Sequence, residues 1–234
     1  MAARQSHGAA RMRAARALLA VLLPLLLALG AGPAAGQPAE EDARPRAPIA
    51  GQLTVLRGEA RILRADRVIA VTQAALLEEG DRVQTLAGSR AYVRLRDAPP
   101  AAAGMEAMLA EFTWVDIAAL RAGPSAAPLS LALGALRARV RHWATPGPFV
   151  TSAAAAIGIK GTDFVVVVRK PEASEFIGVE GLIECVSRSR PEFSLRIGPR
   201  QWGEIVAGLK PNPPVPVPDA LWAAVLRDFA FPVP

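Results

Sequence analysis

Residues 90–96 read RAYVRLR, and their alternation sets the reading of the whole chain. Ala91, Val93 and Leu95 fall on one side and Tyr92, Arg94 and Arg96 on the other, the period-two pattern of a strand with one buried face. The same texture extends upstream. Residues 52–57 (QLTVLR) end at Gly58, residues 59–64 (EARILR) end at a polar turn, and residues 68–71 follow. Gly80-Asp81 introduces residues 82–85, and Gly88-Ser89 introduces residues 90–96.

Downstream, residues 98–108 (APPAAAGMEAM) interrupt the pattern and predict a loop with a short helical turn. Strands are predicted again at 112–117, 129–133, 136–142 (LRARVRH), 149–151, 157–159, 164–168, 176–179 and 182–186. Short strands spaced by glycine turns predict an all-β domain over residues 49–190, β-solenoid-like or sandwich-like. The run Val166-Val167-Val168 predicts a strand buried on both faces. No strand–helix–strand rhythm is present, which argues against a nucleotide-binding α/β fold. Residues 191–210 read as an irregular extension with one more strand at 193–197, and residues 211–218 (PNPPVPVP) as an extended proline-rich linker. Asp219 is a candidate N-cap for a short C-terminal helix within 219–229, with Leu221, Trp222, Val225 and Phe229 on one face.

The first 36 residues have a different character. Arg4, Arg11, Arg13 and Arg16 precede an apolar run at 17–29, and Ala34-Ala35-Gly36 supplies a small-residue exit. Basic start, apolar middle and small-residue end are the marks of a secretory signal peptide cleaved near Gly36, with periplasmic or secreted destination. Residues 37–48 (QPAEEDARPRAP) have too little apolar surface to order themselves and read as a linker. Cleavage would remove four of the 27 basic residues and no acidic ones, leaving 23 against 21. The net charge of +6 is therefore poor evidence for nucleic-acid binding. No membrane span is expected after cleavage.

Chemistry-bearing residues are sparse. One Cys and two His exclude an intramolecular disulfide framework and argue against a metal centre. Gly161 separates Lys160 from Thr162, so the stretch is not a phosphate loop. His142 has no nucleophile at motif spacing, and Cys185 alternates with Ile183 as a buried small hydrophobe would. The adjacent pairs Glu40/Glu41 and Glu78/Glu79 lack the pattern of acid–base catalysis. No enzyme and no cofactor are expected. Arg137, Arg139 and Arg141 share one side of a predicted strand, a candidate anion- or partner-binding face.

Four stretches, in order, resemble the FecR-type domain, the periplasmic part of ferric-citrate-type signalling regulators. Residues 77–85 (LEEGDRVQT) resemble its L-x-x-G-D-x-I/V-x-T segment, with Gly80, Asp81 and Thr85 at the matching positions. Residues 131–140 (LALGALRARV) resemble its L-x-x-G-x-L/V strand pair. Residues 152–166 (SAAAAIGIKGTDFVV) are similar to the hallmark A-x-I/V-G-I/V-R-G-T-x-F-x-V. Gly158, Gly161, Thr162 and Phe164 match it, and Lys160 stands where Arg is usual. Residues 179–186 (VEGLIECV) resemble the closing V-x-E-G-x-I/V-x-V, with Glu180 and Gly181. The likeness spans about residues 51–187.

These motif positions read as structural turns. Gly161 would take a positive φ, Thr162 would hydrogen-bond the bent backbone, and Phe164 would re-enter the core. The resemblance implies a non-catalytic protein-binding or signal-relay module of the bacterial envelope. The implied partner is another envelope protein, such as an outer-membrane receptor or transducer; a cell-wall polymer or polysaccharide is the alternative. Only sixteen residues precede the apolar run, where anti-sigma members of the family carry a cytoplasmic domain, so direct contact with a sigma factor is not expected.

Overall fold

The computed structural model describes residues 47–96, 104–118, 127–140 and 147–232, with residues 159–161 described through their backbone alone. Residues 1–36, which read as a signal peptide, most of 37–48, which read as a linker, and Arg141 and His142 lie outside the described residues.

The architecture is all-β with one C-terminal helix, as the alternation predicts. The first strands are β1 (Ile49–Arg57), β2 (Ala60–Arg64), β3 (Arg67–Val71), β4 (Ala74–Glu78), β5 (Arg82–Thr85) and β6 (Arg90–Arg96). They are followed by β7 (Gly104–Leu109), β8 (Trp114–Ile117) and the long β9 (Leu129–Val140). In β6, Ala91, Val93 and Leu95 are buried while Arg94 and Arg96 are exposed.

β9 is the strand on which the sheet divides. Its first half pairs with β8 and its second half with β7. Between the halves Gly134 adopts φ +97°, and a Cβ there would lie 2.5 Å from Thr113 Cα. Across from it, Phe112 also takes a positive φ, 53°. From this corner one layer runs β9-β7-β6-β1-β4 and the other β9-β8-β5-β2-β3. Leu53, Val93 and Leu136 of the first layer meet Ile62, Val83 and Val115 of the second in one buried core. At about 1.5–3 kcal/mol per fully buried aliphatic side chain, this core is the main stabilising element. The ladders are antiparallel except for two residues joining β9 to β10 (Val150–Thr151), a sandwich-like pattern and not a coil of parallel strands.

Two stretches that the alternation does not mark as strands are strands: one in the predicted loop with a helical turn, the other outside every predicted element. Within 98–108, residues from Gly104 onward form β7 between β6 and β9; residues 98–103 lie outside the described set. Burial of Met105, Ala107 and Leu109 overrides the helical preference of Ala, Met and Glu. β4 (AALLE) was concealed by the same preference.

The four short strands predicted at 157–186 are two long ones, β11 (Ala155–Lys170) and β12 (Ala173–Ser187). Phe164, Val166 and Val168 face the main core. On the opposite face Val165 and Ile177 are buried, with Val167 packed beside them, against the C-terminal helix, so the valine run is covered from both sides.

The extension at 191–210 is not irregular. It forms β13 (Ser194–Ile197) and β14 (Gln201–Val206), both on β12. Gly203 permits this because Leu195 Cδ2 sits 2.5 Å from where its Cβ would be. β15 (Val215–Pro216) lies on β14, and since proline has no N–H, Val217 N–H donates to the Arg200 carbonyl (2.8 Å). The helix α1 (Asp219–Asp228) docks through Trp222, Val225 and Phe229; Leu221 is 46% exposed and outside that face. Pro218, not Asp219, precedes the helix, and no side chain caps it. The Asp219 carboxylate instead pairs with Arg200 while still placing negative charge in the first turn.

Candidate functional site

Arg137 and Arg139 do share one side of β9, and what they meet there is a carboxylate. Arg137 donates from Nε to Asp163 Oδ1 (2.6 Å) and from Nη2 to Oδ2 (2.8 Å), while Arg139 Nε reaches Oδ2 (3.1 Å). Asp163 stands opposite Arg139 in the β9–β11 register. A bulge just before it sets Gly161 and Thr162 against the single residue Gly181, which accommodates the kink at φ +74°. Gly161 and Thr162 therefore belong to a bulged strand and not to a tight turn.

The chain's own C-terminal segment closes over this group. The Phe231 ring lies 5.1 Å from the Arg137 guanidinium carbon and 4.1 Å from that of Arg139. Tyr92 meets Phe231 edge-on at 6.3 Å, and Arg137 Nη1 donates to the Phe229 carbonyl (3.2 Å). The Tyr92 hydroxyl donates to Glu106 Oε1 (2.7 Å); burial first, then this carboxylate, pushes its pKa up. Arg137 is buried, so it is not a free anion-binding group in this state. Nothing in the local sequence announced that Phe231, 92 residues beyond Arg139, would cover the pair.

The remaining motif positions fall at two places. Gly80 takes φ +90°, and the buried Asp81 next to it accepts the Glu78 N–H (2.8 Å) and two Arg64 nitrogens (2.8 Å each). Thr85 Oγ1 accepts the Thr113 N–H (2.9 Å) and donates to the Ala110 carbonyl (2.5 Å). On β11, Gly158 has open space beside it, the nearest atom to a Cβ being Glu184 O at 3.9 Å. Thr162 Oγ1 is buried without a hydrogen-bond partner among the described residues, so the bond expected from it to the backbone is not made. Phe164 is fully buried, Glu180 is exposed, and the Lys160 side chain lies outside the described set.

Two surface features were not legible in the sequence. β3 pairs only with β2 among the described strands, and its Val68 is 66% exposed. At the β7–β8 corner Phe112 and Trp114 are exposed, with Leu133 opposite Trp114. Cys185 is fully buried, and burial together with Glu184 pushes its thiol pKa strongly upward, the opposite of a reactive thiolate.

No family model and no curated protein matches the sequence. Two crystal structures of a candidate anti-sigma factor from Parabacteroides distasonis ATCC 8503 are similar in chain path. They have 14% and 13% identity, TM-scores of 0.47, and matches covering 62% of this chain. The match spans less than two thirds of that protein, 64% and 63% of its two chains.

Proposed function

We propose that the chain is a non-catalytic, FecR-type binding and signal-relay module of the bacterial envelope that recognises a partner protein by strand addition at β3. The exposed β3 edge carries this reading. In the two-residue hairpin that joins β2 to β3, hydrogen-bonded pairs alternate from the closing pair Arg64/Arg67. The backbone groups of Val68 and Ala70 therefore point to the open side. Natural edges are usually blunted by Lys, Pro or a bulge, and β3 (RVIAV) has none of these.

The four ordered motif stretches and the export-type N-terminus support placement in the envelope. Cys185 is sealed away and the Arg137–Asp163–Arg139 group is engaged under Phe231, which supports a module without catalysis. Affinity capture from envelope extract tests the reading. The wild type should retain a discrete partner that an Ala70→Pro variant loses, because proline removes an outward N–H without touching the β2 ladder. Equal retention by both would reject strand addition.

The exposed Phe112–Trp114–Leu133 corner favours a second reading, recognition of a cell-wall polysaccharide through aromatic stacking. Co-sedimentation with isolated peptidoglycan, lost on Trp114→Ala, would favour it over the first.

A further inference from the structure

Strand pairing puts Arg57 of β1 opposite Arg90 of β6, an arrangement produced by the extra residue Leu56 at a register shift. Directly opposed side chains on an antiparallel pair have Cβ atoms about 5 Å apart, and like charges so placed are destabilising. Among the described residues neither guanidinium has a carboxylate within ion-pair distance. Arg57 Nε donates to the Gly88 carbonyl (2.7 Å), and Arg90 makes no side-chain hydrogen bond or ion pair among the described residues.

Both arginines line a cleft of about 480 Å³ to which the end of α1 also contributes, through Arg227 and Asp228. Its two carboxylates are already engaged: Glu111 Oε2 accepts the Gly88 N–H (2.6 Å), and Asp228 Oδ1 accepts from Arg227 Nε (3.0 Å). The cleft is thus a polar space lined by three guanidiniums and two carboxylates, net positive by one, in which Arg57 and Arg90 form no ion pair among the described residues.

We propose that this cleft is an oxyanion site that takes a phosphate group, free or as a monoester. A guanidinium fork matches the geometry of phosphate oxygens, and two forks meeting across a strand pair suit a group with three acceptor oxygens and about −1.5 to −2 charge. The anion would relieve the Arg57–Arg90 repulsion, so binding and folding stability are linked. This site is independent of the β3 edge and stands or falls separately from it.

The test is thermal unfolding of the intact protein in inorganic phosphate and in chloride of matched ionic strength. Phosphate should raise the wild-type midpoint above that in chloride. Arg90→Gln should melt higher than wild type in chloride, having lost the repulsion, and gain nothing further from phosphate. Arg196→Gln, at a distant exposed position, should respond as wild type does. Glycerol phosphate in solution and vesicles containing phosphatidic acid then distinguish a soluble from a lipid-borne phosphate, with at least tenfold weaker binding by Arg57→Gln/Arg90→Gln in whichever arm binds. Equal midpoints in the two salts, or an undiminished phosphate response in Arg90→Gln, would overturn the proposal.

Discussion

Arg137 and Asp163 are joined by two parallel hydrogen bonds of 2.6 and 2.8 Å, and both side chains are less than a tenth exposed. Removing one partner of such a pair leaves a buried charge unanswered, at a cost of about 3–5 kcal/mol. Here Asp163 serves Arg139 as well, so Asp163→Asn should fall at the upper end of that range. Asp116→Asn removes the comparable partner of Arg82 where both side chains are about 40% exposed, and should cost about 1 kcal/mol or less. Urea unfolding of the two variants checks the contrast; equal losses would contradict it.

Phe231 tethers the C-terminal segment by lying over two guanidiniums. Phe231→Ala should lower stability by about 1–2 kcal/mol, and Phe231→Trp, the stronger cation–π partner, should retain most of it. Limited proteolysis after residue 214 should quicken in the alanine variant alone.

Glycines with positive φ differ in what surrounds them. A Cβ at Gly134 would meet Thr113 backbone at 2.5 Å, whereas one at Gly80 would meet nothing within 4 Å. Gly80→Ala should cost only the left-handed backbone penalty, about 1–2 kcal/mol. Gly134→Ala must also force the β7–β8 corner away from β9 and should abolish soluble folded protein, as circular dichroism of the purified fraction would show.

Cys185 links stability to alkaline pH. Its folded pKa is raised by burial and by Glu184 from an ordinary value of 9.0. Its contribution is therefore complete below about pH 9 and is lost as pH rises beyond it, where the unfolded thiol ionises and the folded one does not. Cys185→Ala should flatten the alkaline decline in stability, and the native thiol should resist thiol-reactive probes until the protein unfolds.

The layers were legible in the sequence because half-buried strands display their period locally: RAYVRLR and LRARVRH show their faces without help from any neighbour. What escaped was decided by tertiary burial. AALLE and GMEAML carry helix-forming residues and become strands only because β1, β6 and β9 offer ladders beside them. The arginine side was found from spacing, but its partner Asp163 depends on a bulge and its lid, Phe231, arrives from the far end of the chain. Gly161 illustrates the ambiguity of a glycine signal, since bulge and turn call for the same residue.

Photo-crosslinking from position 68 tests the account's central claim most directly. With a benzophenone amino acid at Val68 in the native cell, strand addition predicts one discrete crosslinked protein, and its disappearance when Ala70→Pro is added to a chain that still folds. Crosslinking unchanged by Ala70→Pro, or none above that from an outward-facing control position at Arg196, would contradict it.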